Sequence, residues 1–252
     1  MISRPAALNK LVYRGEYGKG GLHIVYRGVW LAGTANDTLQ EVPRISLTFD
    51  DGPHPIWTPR VLGALQRAEA HATFFVMIPQ ARRFPHLISD ILRHGHEVEF
   101  HCTEHVLHTK QSRKEVEADV RYGLRELRRQ GVRPRFWRPP WGVLAPFTTE
   151  IAYAFGLKLA LWTEGTRDWR GDPASEMLKR VGPELRPGSI VLMHDGIGPG
   201  ALRSGCGETV ALVGDLVKRI RFLGCEPGPL NTSFTAGTSL TDGVSAEQEG
   251  PT

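Results

Sequence analysis

Cysteine is scarce in this chain of 252 residues, and the three cysteines form no ligand or redox pattern. Cys102, Cys206 and Cys225 lack both a C-x-x-C pair and the spacing of a zinc finger, which argues against a cysteine-bound metal. Because three is an odd number, at least one thiol stays free in a monomer. We expect reduced, buried thiols. A disulfide between Cys206 and Cys225 is an alternative that the sequence does not decide, because it does not give the distance between the two residues.

Long apolar segments are also absent. No run approaches the roughly 18 apolar residues that a membrane helix needs, so the sequence predicts no membrane span. Residues 1–21 lack the apolar stretch of about 7–15 residues that a signal peptide needs. As written, the chain shows no export signal and would be cytoplasmic, but the sequence leaves its location open.

Neither sign of charge dominates the composition. The 31 Lys and Arg residues nearly balance the 27 Asp and Glu residues, which gives a formal charge of +4 and a pI of about 9.1. So small a basic excess is typical of a solvated Arg-rich surface and indicates no nucleic-acid partner. A content of 40% hydrophobic and 23% charged residues is that of a globular protein, long enough for one large α/β domain or two small ones.

The composition divides the chain into three parts. Residues 1–43 are Gly-rich and irregular and are expected to form an N-terminal extension, whereas residues 231–252 are rich in Ser, Thr and Gly and predict a disordered tail. Residues 44–230 alternate between strand-like and helix-like segments. The first helix is expected to have Thr58 as its N-cap, because Pro59 suits the first helical position.

Repeated strand–helix units predict a parallel sheet covered by helices. The strand-like segments, which we interpret as continuously apolar, are RISLTFDD, HATFFVMI, HEVEFH, RFWRPP, LKLALW and SIVLMHD, and CEPGPL is a candidate seventh that would close the set. About seven such units in a chain of this length favour a (β/α) barrel over an open sheet. No internal repeat is visible in the sequence.

Polar residues follow most of these strands. Five groups stand at strand ends: Asp50-Asp51, His101 with His105, Arg138 to Trp141, Trp162 with Asp168 and Trp169, and His194-Asp195. One such group alone would be a weak signal. Because the carboxyl ends of parallel strands meet at one face of the fold, five groups together predict a single site there.

The spacing of His101 and His105 places both imidazoles on one face of a helical turn. Two imidazoles and one carboxylate form a usual ligand set for a zinc-like cation that keeps one position open. Two surface histidines are the commoner explanation of the spacing alone, but Asp50 and Asp51 at the same edge favour a metal site. One aspartate would bind the cation, and the other would act as a base held ionised by Arg138.

Five segments match the motifs of one family in order and spacing: TFDDGP, HCTEH, RPPWG, RDW and IVLMHD. They make residues 44–226 resemble the polysaccharide deacetylases, which form carbohydrate esterase family 4 and share the NodB-homology domain. The resemblance implies an α/β fold, a distorted (β/α) barrel with seven or eight parallel strands. It also implies a hydrolase of carbon–nitrogen bonds in linear amides, one that removes N-acetyl or O-acetyl groups from carbohydrate.

The family pattern assigns a role to each matching residue. By this resemblance Asp51, His101 and His105 would bind a divalent metal, zinc first, with cobalt, nickel and manganese as alternatives. A water activated by the metal would attack with Asp50 as general base, and His194 would act as general acid. The remaining assignments are Arg138 holding the base, Trp141 donating its N–H to the oxyanion, Asp168 tuning His194, and Trp169, Leu192 and Pro140 lining the substrate pocket.

The resemblance also implies an acetylated glycan as partner, such as peptidoglycan or chitin oligomers, bound by a monomer.

Two positions depart from the family pattern. Cys102 stands where relatives usually carry Ser or Thr, and Gly165 stands where many carry an acid. Two other functions stay open: a non-catalytic carbohydrate-binding relative and an amide hydrolase for small molecules. The family works mostly outside the membrane, whereas the sequence as written shows no export signal.

Overall fold

The computed structural model describes residues 42–230, so the predicted tail and nearly all of the predicted N-terminal extension lie outside the described residues. The strands are β1 (Arg44–Asp50), β2 (Thr73–Met77), β3 (Glu97–Cys102), β4 (Phe136–Trp137), β5 (Lys158–Leu159), β6 (Glu164–Gly165), β7 (Ile190–His194) and β8 (Glu226–Gly228). The helices are α1 (Trp57–Arg67), α2 (Ile78–Arg83), α3 (Pro85–Arg93), α4 (Arg113–Arg129), α5 (Thr148–Ala154), α6 (Ala174–Val181) and α7 (Gly207–Phe222).

The strands form one parallel sheet of eight in the order β5-β4-β3-β2-β1-β7-β6, and β8 pairs with the first residues of β1. Every pairing within residues 42–230 is parallel. The sheet is a half-barrel that stays open between its edge strands β5 and β6, which are not paired with each other in the described part of the chain. The predicted α/β fold and strand number are confirmed.

Side chains alternate between the two faces of the longer strands. On β1, Ile45, Leu47 and Phe49 are fully buried in the main core beneath the helices. Their neighbours Thr48 and Asp50 therefore face the inside of the half-barrel, because successive side chains of a strand point to opposite sides. Our interpretation of the strands as continuously apolar is wrong in this respect.

The inside of the half-barrel has only a small apolar cluster, formed by Phe75, Phe136, Ala160 and Leu230. The main core on the outer side is much larger and includes most of the buried Val, Leu and Ile residues. Stability therefore comes chiefly from the layer between sheet and helices. The inner layer is left for polar groups that are buried in pairs.

The helix boundaries show where local sequence rules hold and where tertiary contacts override them. Ser112 and Glu115 form a complete capping box at the start of α4. Thr58 is not the N-cap of α1, because the helix begins at Trp57, two residues before the predicted start, with Ile56 in the cap position. The Thr58 hydroxyl is instead fully buried, where it accepts the N–H of His54 and donates to Asp195.

Strands β4 and β5 have two residues each and are shorter than the segments RFWRPP and LKLALW predict. Pro139 and Pro140 end β4, since proline has no N–H to donate to a ladder. Strand β6 was not expected from the sequence. Its two residues pair with Val191 and Leu192 of β7 and form the second edge of the opening.

The three cysteines are buried and free, so no disulfide joins Cys206 to Cys225. Burial raises the pKa of Cys206 to about 12, which keeps this thiol protonated. No helix among residues 42–230 combines the length and the apolar character that crossing a membrane requires.

Gly123 on α4 packs against the ring of Phe100 on β3, and a Cβ at this position would collide with the ring. We expect Gly123→Ala to lower the free energy of unfolding by about 1–3 kcal/mol, the usual cost of overpacking a core. The matched control is Gly214→Ala on α7, where a Cβ meets open space. Alanine should stabilise that helix by about 0.5–1 kcal/mol. Urea unfolding measures both changes, and the same sign for both would contradict this packing.

Candidate active site and metal centre

The carboxyl ends of the strands bring the predicted groups together at one end of the half-barrel. Asp50 on β1 and His194 on β7 are register partners on neighbouring strands. His101 lies on β3, and Arg138 follows β4, where its backbone N–H donates to the carbonyl of Phe100 at 3.0 Å. The side chains of four of the five predicted groups can therefore meet at this end.

Asp51 leaves β1 in a left-handed conformation with φ of 70°. This region is unusual for a residue with a side chain and occurs most often at functional sites. The two adjacent carboxylates have different partners: Asp50 contacts Arg138, and Asp51 contacts His101 and His105. Their charges are thus compensated separately, which limits the repulsion between them.

Asp51, His101 and His105 converge with their polar atoms. Asp51 Oδ1 lies 3.4 Å from His101 Nε2 and 3.6 Å from His105 Nε2, and one ligand atom from each residue lies within 4.8 Å of the others. His101 Nδ1 lies 2.6 Å from the carbonyl oxygen of Arg138. Because a carbonyl only accepts, Nδ1 carries a proton, so Nε2 is the atom of His101 that could bind a metal.

This donor set fits a divalent metal. Asp51 Oδ1 is buried and has no hydrogen-bond partner among the described residues. Without a proton or a cation between them, this carboxylate oxygen would repel the lone pairs of the two imidazoles. Two imidazoles and one carboxylate are a usual set of three protein ligands for a catalytic metal with an open position.

The pKa shifts of Asp51 and His105 agree with metal binding. His101 would release a proton on binding, because burial lowers its pKa but contact with Asp51 raises it overall. Burial alone would raise the pKa of Asp51, but contact with His101 and the charges of His194 and His105 hold it well below its usual range. Burial and the neighbouring His101 lower the pKa of His105 to about 4. An ionised carboxylate and a neutral imidazole are the forms that bind metals.

Asp119 on α4 positions the loop between the two histidines. Its Oδ1 accepts the backbone N–H of Thr103 at 3.0 Å and that of Glu104 at 3.1 Å. The ring of Trp141 packs edge-on against His105, with 4.1 Å between ring centroids. The loop is thus fixed by a helix on one side and by an aromatic ring on the other.

Arg138 is fully buried and holds Asp50. Its Nη1 lies 2.7 Å from Asp50 Oδ1 and 2.9 Å from the hydroxyl oxygen of Thr48. Its Nε donates to the carbonyl of Ala160 at 2.9 Å, and its guanidinium stacks over Phe75 at 4.1 Å from the ring centroid. The base candidate predicted from the sequence therefore has the partner that the sequence indicates.

His194 forms a second charged pair with Asp168. Its Nδ1 lies 2.7 Å from Asp168 Oδ1, and its backbone N–H donates to Asp168 Oδ2 at 2.9 Å. Burial alone would lower the pKa of His194, but the charge of Asp168 and its hydrogen bond raise it to about 9. Burial opposes ionisation of Asp168, yet His194 and Arg203 hold its pKa at about 2.

The predicted pocket residues lie next to these groups. Leu192 is buried and lies two residues before His194 on β7, so both side chains share the inner face of the strand. Trp169 lies in the turn that begins with Asp168. Pro140 is buried in the turn Pro140–Gly142, in which Trp141 has a left-handed φ of 55°.

The loop of residues 195–206, between β7 and α7, lies against the metal centre. A Cβ at Gly198 would collide with the carboxylate of Asp51, so only glycine permits this approach. Asp195 is buried behind the same turn, where burial raises its pKa to about 7 and its carboxylate accepts the hydroxyl proton of Thr58. This contact joins the loop to α1.

Sequence reasoning missed three polar residues that support the site: Asp119, Arg203 and Thr209. Asp119 lies beside the buried Val116 and Val120 of α4, and an acid on the buried side of an amphipathic helix was a usable signal. Arg203 and Thr209 bond to Asp168 from the loop and from α7. No local pattern distinguishes them in the sequence.

Comparison with known proteins agrees with the geometry. The family model described as Polysaccharide deacetylase matches residues 39–160. The peptidoglycan-N-acetylglucosamine deacetylase of Bacillus cereus is 33% identical over 162 residues, which cover 62% of this chain and 76% of the relative. This chain belongs to the polysaccharide deacetylase family. The chitooligosaccharide deacetylase of Sinorhizobium fredii is 35% identical over 175 residues, covering 66% of this chain and 81% of the relative.

Solved structures of polysaccharide deacetylases share the fold. The Bc1960 peptidoglycan N-acetylglucosamine deacetylase, in complex with 4-naphthalen-1-yl-N-oxidanyl-benzamide, matches with a TM-score of 0.69 and 27% identity over 74% of this chain and 86% of that chain. A family 4 pseudoenzyme from Bacillus anthracis matches with a TM-score of 0.68 and 23% identity over 75% and 64%, a likeness of fold alone. The same fold thus occurs in a pseudoenzyme, so the functional argument for this chain rests on its site residues and not on its architecture.

A divalent metal should stabilise the folded protein through Asp51. We expect Zn²⁺ to raise the melting temperature of chelator-treated protein, since a ligand at 100 times its Kd adds about 2.7 kcal/mol to the free energy of unfolding. Asp51→Asn should lose this rise. Asp172→Asn is the control, because that carboxylate pairs with Arg180 instead. Scanning calorimetry and titration calorimetry measure the effect, and equal stabilisation of wild type and Asp51→Asn would contradict the assignment.

Proposed function

We propose that this chain is a metal-dependent hydrolase that removes acetyl groups from N-acetylglucosamine-type glycans such as peptidoglycan or chitin oligomers. The observation that carries the proposal is the register pairing of Asp50 with His194, each with its own oppositely charged partner. A base and an acid thus stand side by side, next to a cluster of metal-binding groups. Amide hydrolysis requires proton removal from water and proton delivery to the amine, which this pair supplies.

Asp50 is the proposed general base. The guanidinium of Arg138 pairs with its carboxylate and orients it, and arginine does not release a proton itself. Asp50 can therefore accept the proton of a water molecule as that water attacks the acetyl carbonyl. Asp51 is unsuited to this role because it faces the two histidines.

His194 is the proposed general acid. Asp168 accepts the Nδ1 proton of His194, so Nε2 is the atom that can pass a proton to the substrate. With a pKa of about 9, the imidazole carries this proton at neutral pH. An amine is a poor leaving group unless it is protonated, and delivery from Nε2 meets that need.

The centre of Asp51, His101 and His105 would hold the cation, for which zinc is proposed and cobalt, nickel and manganese are the alternatives. When bound, it would supply a Lewis acid that polarises the acetyl carbonyl and makes water more acidic. The backbone N–H of Trp141 is proposed to donate to the developing oxyanion. One such donor is worth about 3 kcal/mol in acyl transfer.

The acetyl methyl group is proposed to lie against Leu192, Trp169 and Pro140. A small apolar slot accepts acetyl and excludes longer acyl chains. The names of the Bacillus and Sinorhizobium relatives support N-acetylated glycan as the substrate class, and an O-acetyl ester would meet the same groups. The monomeric state and the cellular location stay predictions.

Acetate release tests this proposal. The panel comprises chitin oligomers, peptidoglycan, acetylated xylan and monomeric N-acetyl sugars, each with Zn²⁺, Co²⁺, Ni²⁺ and Mn²⁺. We expect release from chitin oligomers or peptidoglycan, and a fall in kcat of about 10²–10⁴-fold for Asp50→Asn, which still accepts from Arg138 but is a far weaker base. The control Asp172→Asn should keep the wild-type kcat.

The outcomes separate the alternatives. No release from the whole panel, or wild-type release by Asp50→Asn, would refute the deacetylase proposal. Saturable glycan binding without release would indicate a non-catalytic relative. A strong preference for monomeric N-acetyl sugars over polymers would indicate a small-molecule amide hydrolase.

The pH dependence of kcat should report the acid. His194 acts in its protonated form, so kcat falls as the pH rises through its pKa, which Asp168 raises. Asp168→Asn removes the negative charge but leaves the imidazole buried. The alkaline limb of the profile should therefore move to lower pH by at least about one unit. Steady-state kinetics between pH 6 and pH 10 check this, and an unmoved limb in Asp168→Asn would argue against His194 as the acid.

A further inference from the structure

The loop between β7 and α7 contains one buried cation that the chemistry above does not use. The side chain of Arg203 is 5% exposed, although the residues on either side of it are accessible to solvent. Burying a guanidinium in a loop requires several matched acceptors. Arg203 has four, and three of them belong to Asp168, His194 and Gly196.

One half of the guanidinium fixes the carboxylate of Asp168. Arg203 Nη1 donates to Asp168 Oδ2 at 2.9 Å and to Thr209 Oγ1 at 2.6 Å. The Thr209 hydroxyl itself donates to Asp168 Oδ2 at 2.7 Å, which closes a ring of three hydrogen bonds. With the backbone N–H of His194, Oδ2 accepts three bonds, and Oδ1 is left for the His194 ring.

The other half of the guanidinium contacts the backbone on the far side of His194. Arg203 Nη2 lies 3.3 Å from the carbonyl oxygen of His194 and 3.1 Å from that of Gly196. A single side chain thus contacts both members of the Asp168–His194 pair. The planar, forked geometry of arginine allows this, whereas a lysine ammonium has no such fork.

The charge of Arg203 also acts on the pair. It is opposite to Asp168 and of the same sign as protonated His194, so it opposes the rise in pKa that Asp168 causes. The other charged or titratable groups that act on His194 are Asp50 and Asp51 at the end of β1 and His105 in the loop after β3. Removing Arg203 leaves three carboxylates beside the imidazole without this opposing charge.

We propose that Arg203 is a positioning residue for the acid: it fixes the rotation of Asp168 and the backbone of His194 so that the imidazole presents its Nε2 proton to the substrate. The inference rests on the proposed deacetylase function. Arg203 would join Asp168 and His194 as a third residue of the general-acid group, and the sequence alone did not indicate it.

The test compares Arg203→Met and Arg203→Lys with the control Arg219→Met. Within residues 42–230, the side chain of Arg219 donates a hydrogen bond only to the carbonyl of Gly182. It has no hydrogen bond to Asp168 or His194 there. We expect Arg203→Met to lower kcat about 10- to 100-fold with little change in KM, as loss of an orienting contact does. Its alkaline limb should move to higher pH, because a positive charge near His194 is lost. Arg203→Lys should return the alkaline limb of the pH profile to its wild-type position but should not restore kcat. Arg219→Met should alter neither the limb nor kcat.

A spectroscopic measurement keeps the test independent of turnover. In protein with ¹⁵N-labelled histidine, the hydrogen-bonded Nδ1 proton of His194 should give a downfield resonance that His194→Gln lacks. It should persist in Arg219→Met and broaden or vanish in Arg203→Met. If Arg203→Met does not fold, Thr209→Val removes two of the three bonds of the ring without a change in charge, and kcat should fall with the limb unmoved.

The results distinguish this inference from the proposed function. If wild-type protein releases no acetate, the deacetylase proposal fails, and the resonance still decides whether Arg203 positions His194. If the wild type is active, two results would overturn the inference: Arg203→Met with wild-type kcat and limb, or Arg203→Met with the His194 resonance unchanged.

Discussion

The buried pair of Arg138 and Asp50 is the interaction on which both the half-barrel and the site depend. Arg138 reaches across the inside from the end of β4 to β1, and it also donates to the carbonyls of Ala160 and Leu161 beyond β5. It therefore joins β1, β4 and the segment after β5 across the inside of the half-barrel. Removing one partner of a buried ion pair usually costs about 3–5 kcal/mol, so this pair constrains what the surrounding positions can become.

Much of the site could be predicted because its residues stand at strand ends. Asp50, Asp51 and His194 directly end or follow apolar strands, and a parallel sheet brings such ends together whatever the details of packing. The pattern within the strands was also present in the sequence. In RISLTFD the apolar residues alternate with Ser46 and Thr48. That period of two predicts that one face of the sheet is apolar and the other more polar.

The supporting contacts could not be predicted in the same way. Asp119 reaches the loop before α4, and Arg203 reaches Asp168 on another element, so each contact exists only after the chain has folded. Thr58 shows the same limit from the other direction. Its local context favours a helix cap, but its hydroxyl bonds to the buried Asp195, and the helix begins two residues before the predicted start.

The loop between β7 and α7 contacts both halves of the chemistry. Gly198 lies against the carboxylate of Asp51, and Arg203, further along, bonds to Asp168 and His194. An inserted or deleted residue would move both contacts at once. Natural selection is therefore expected to conserve the length of this loop more strictly than most of its side chains, and relatives with a longer or shorter loop should differ in metal preference and in pH optimum together.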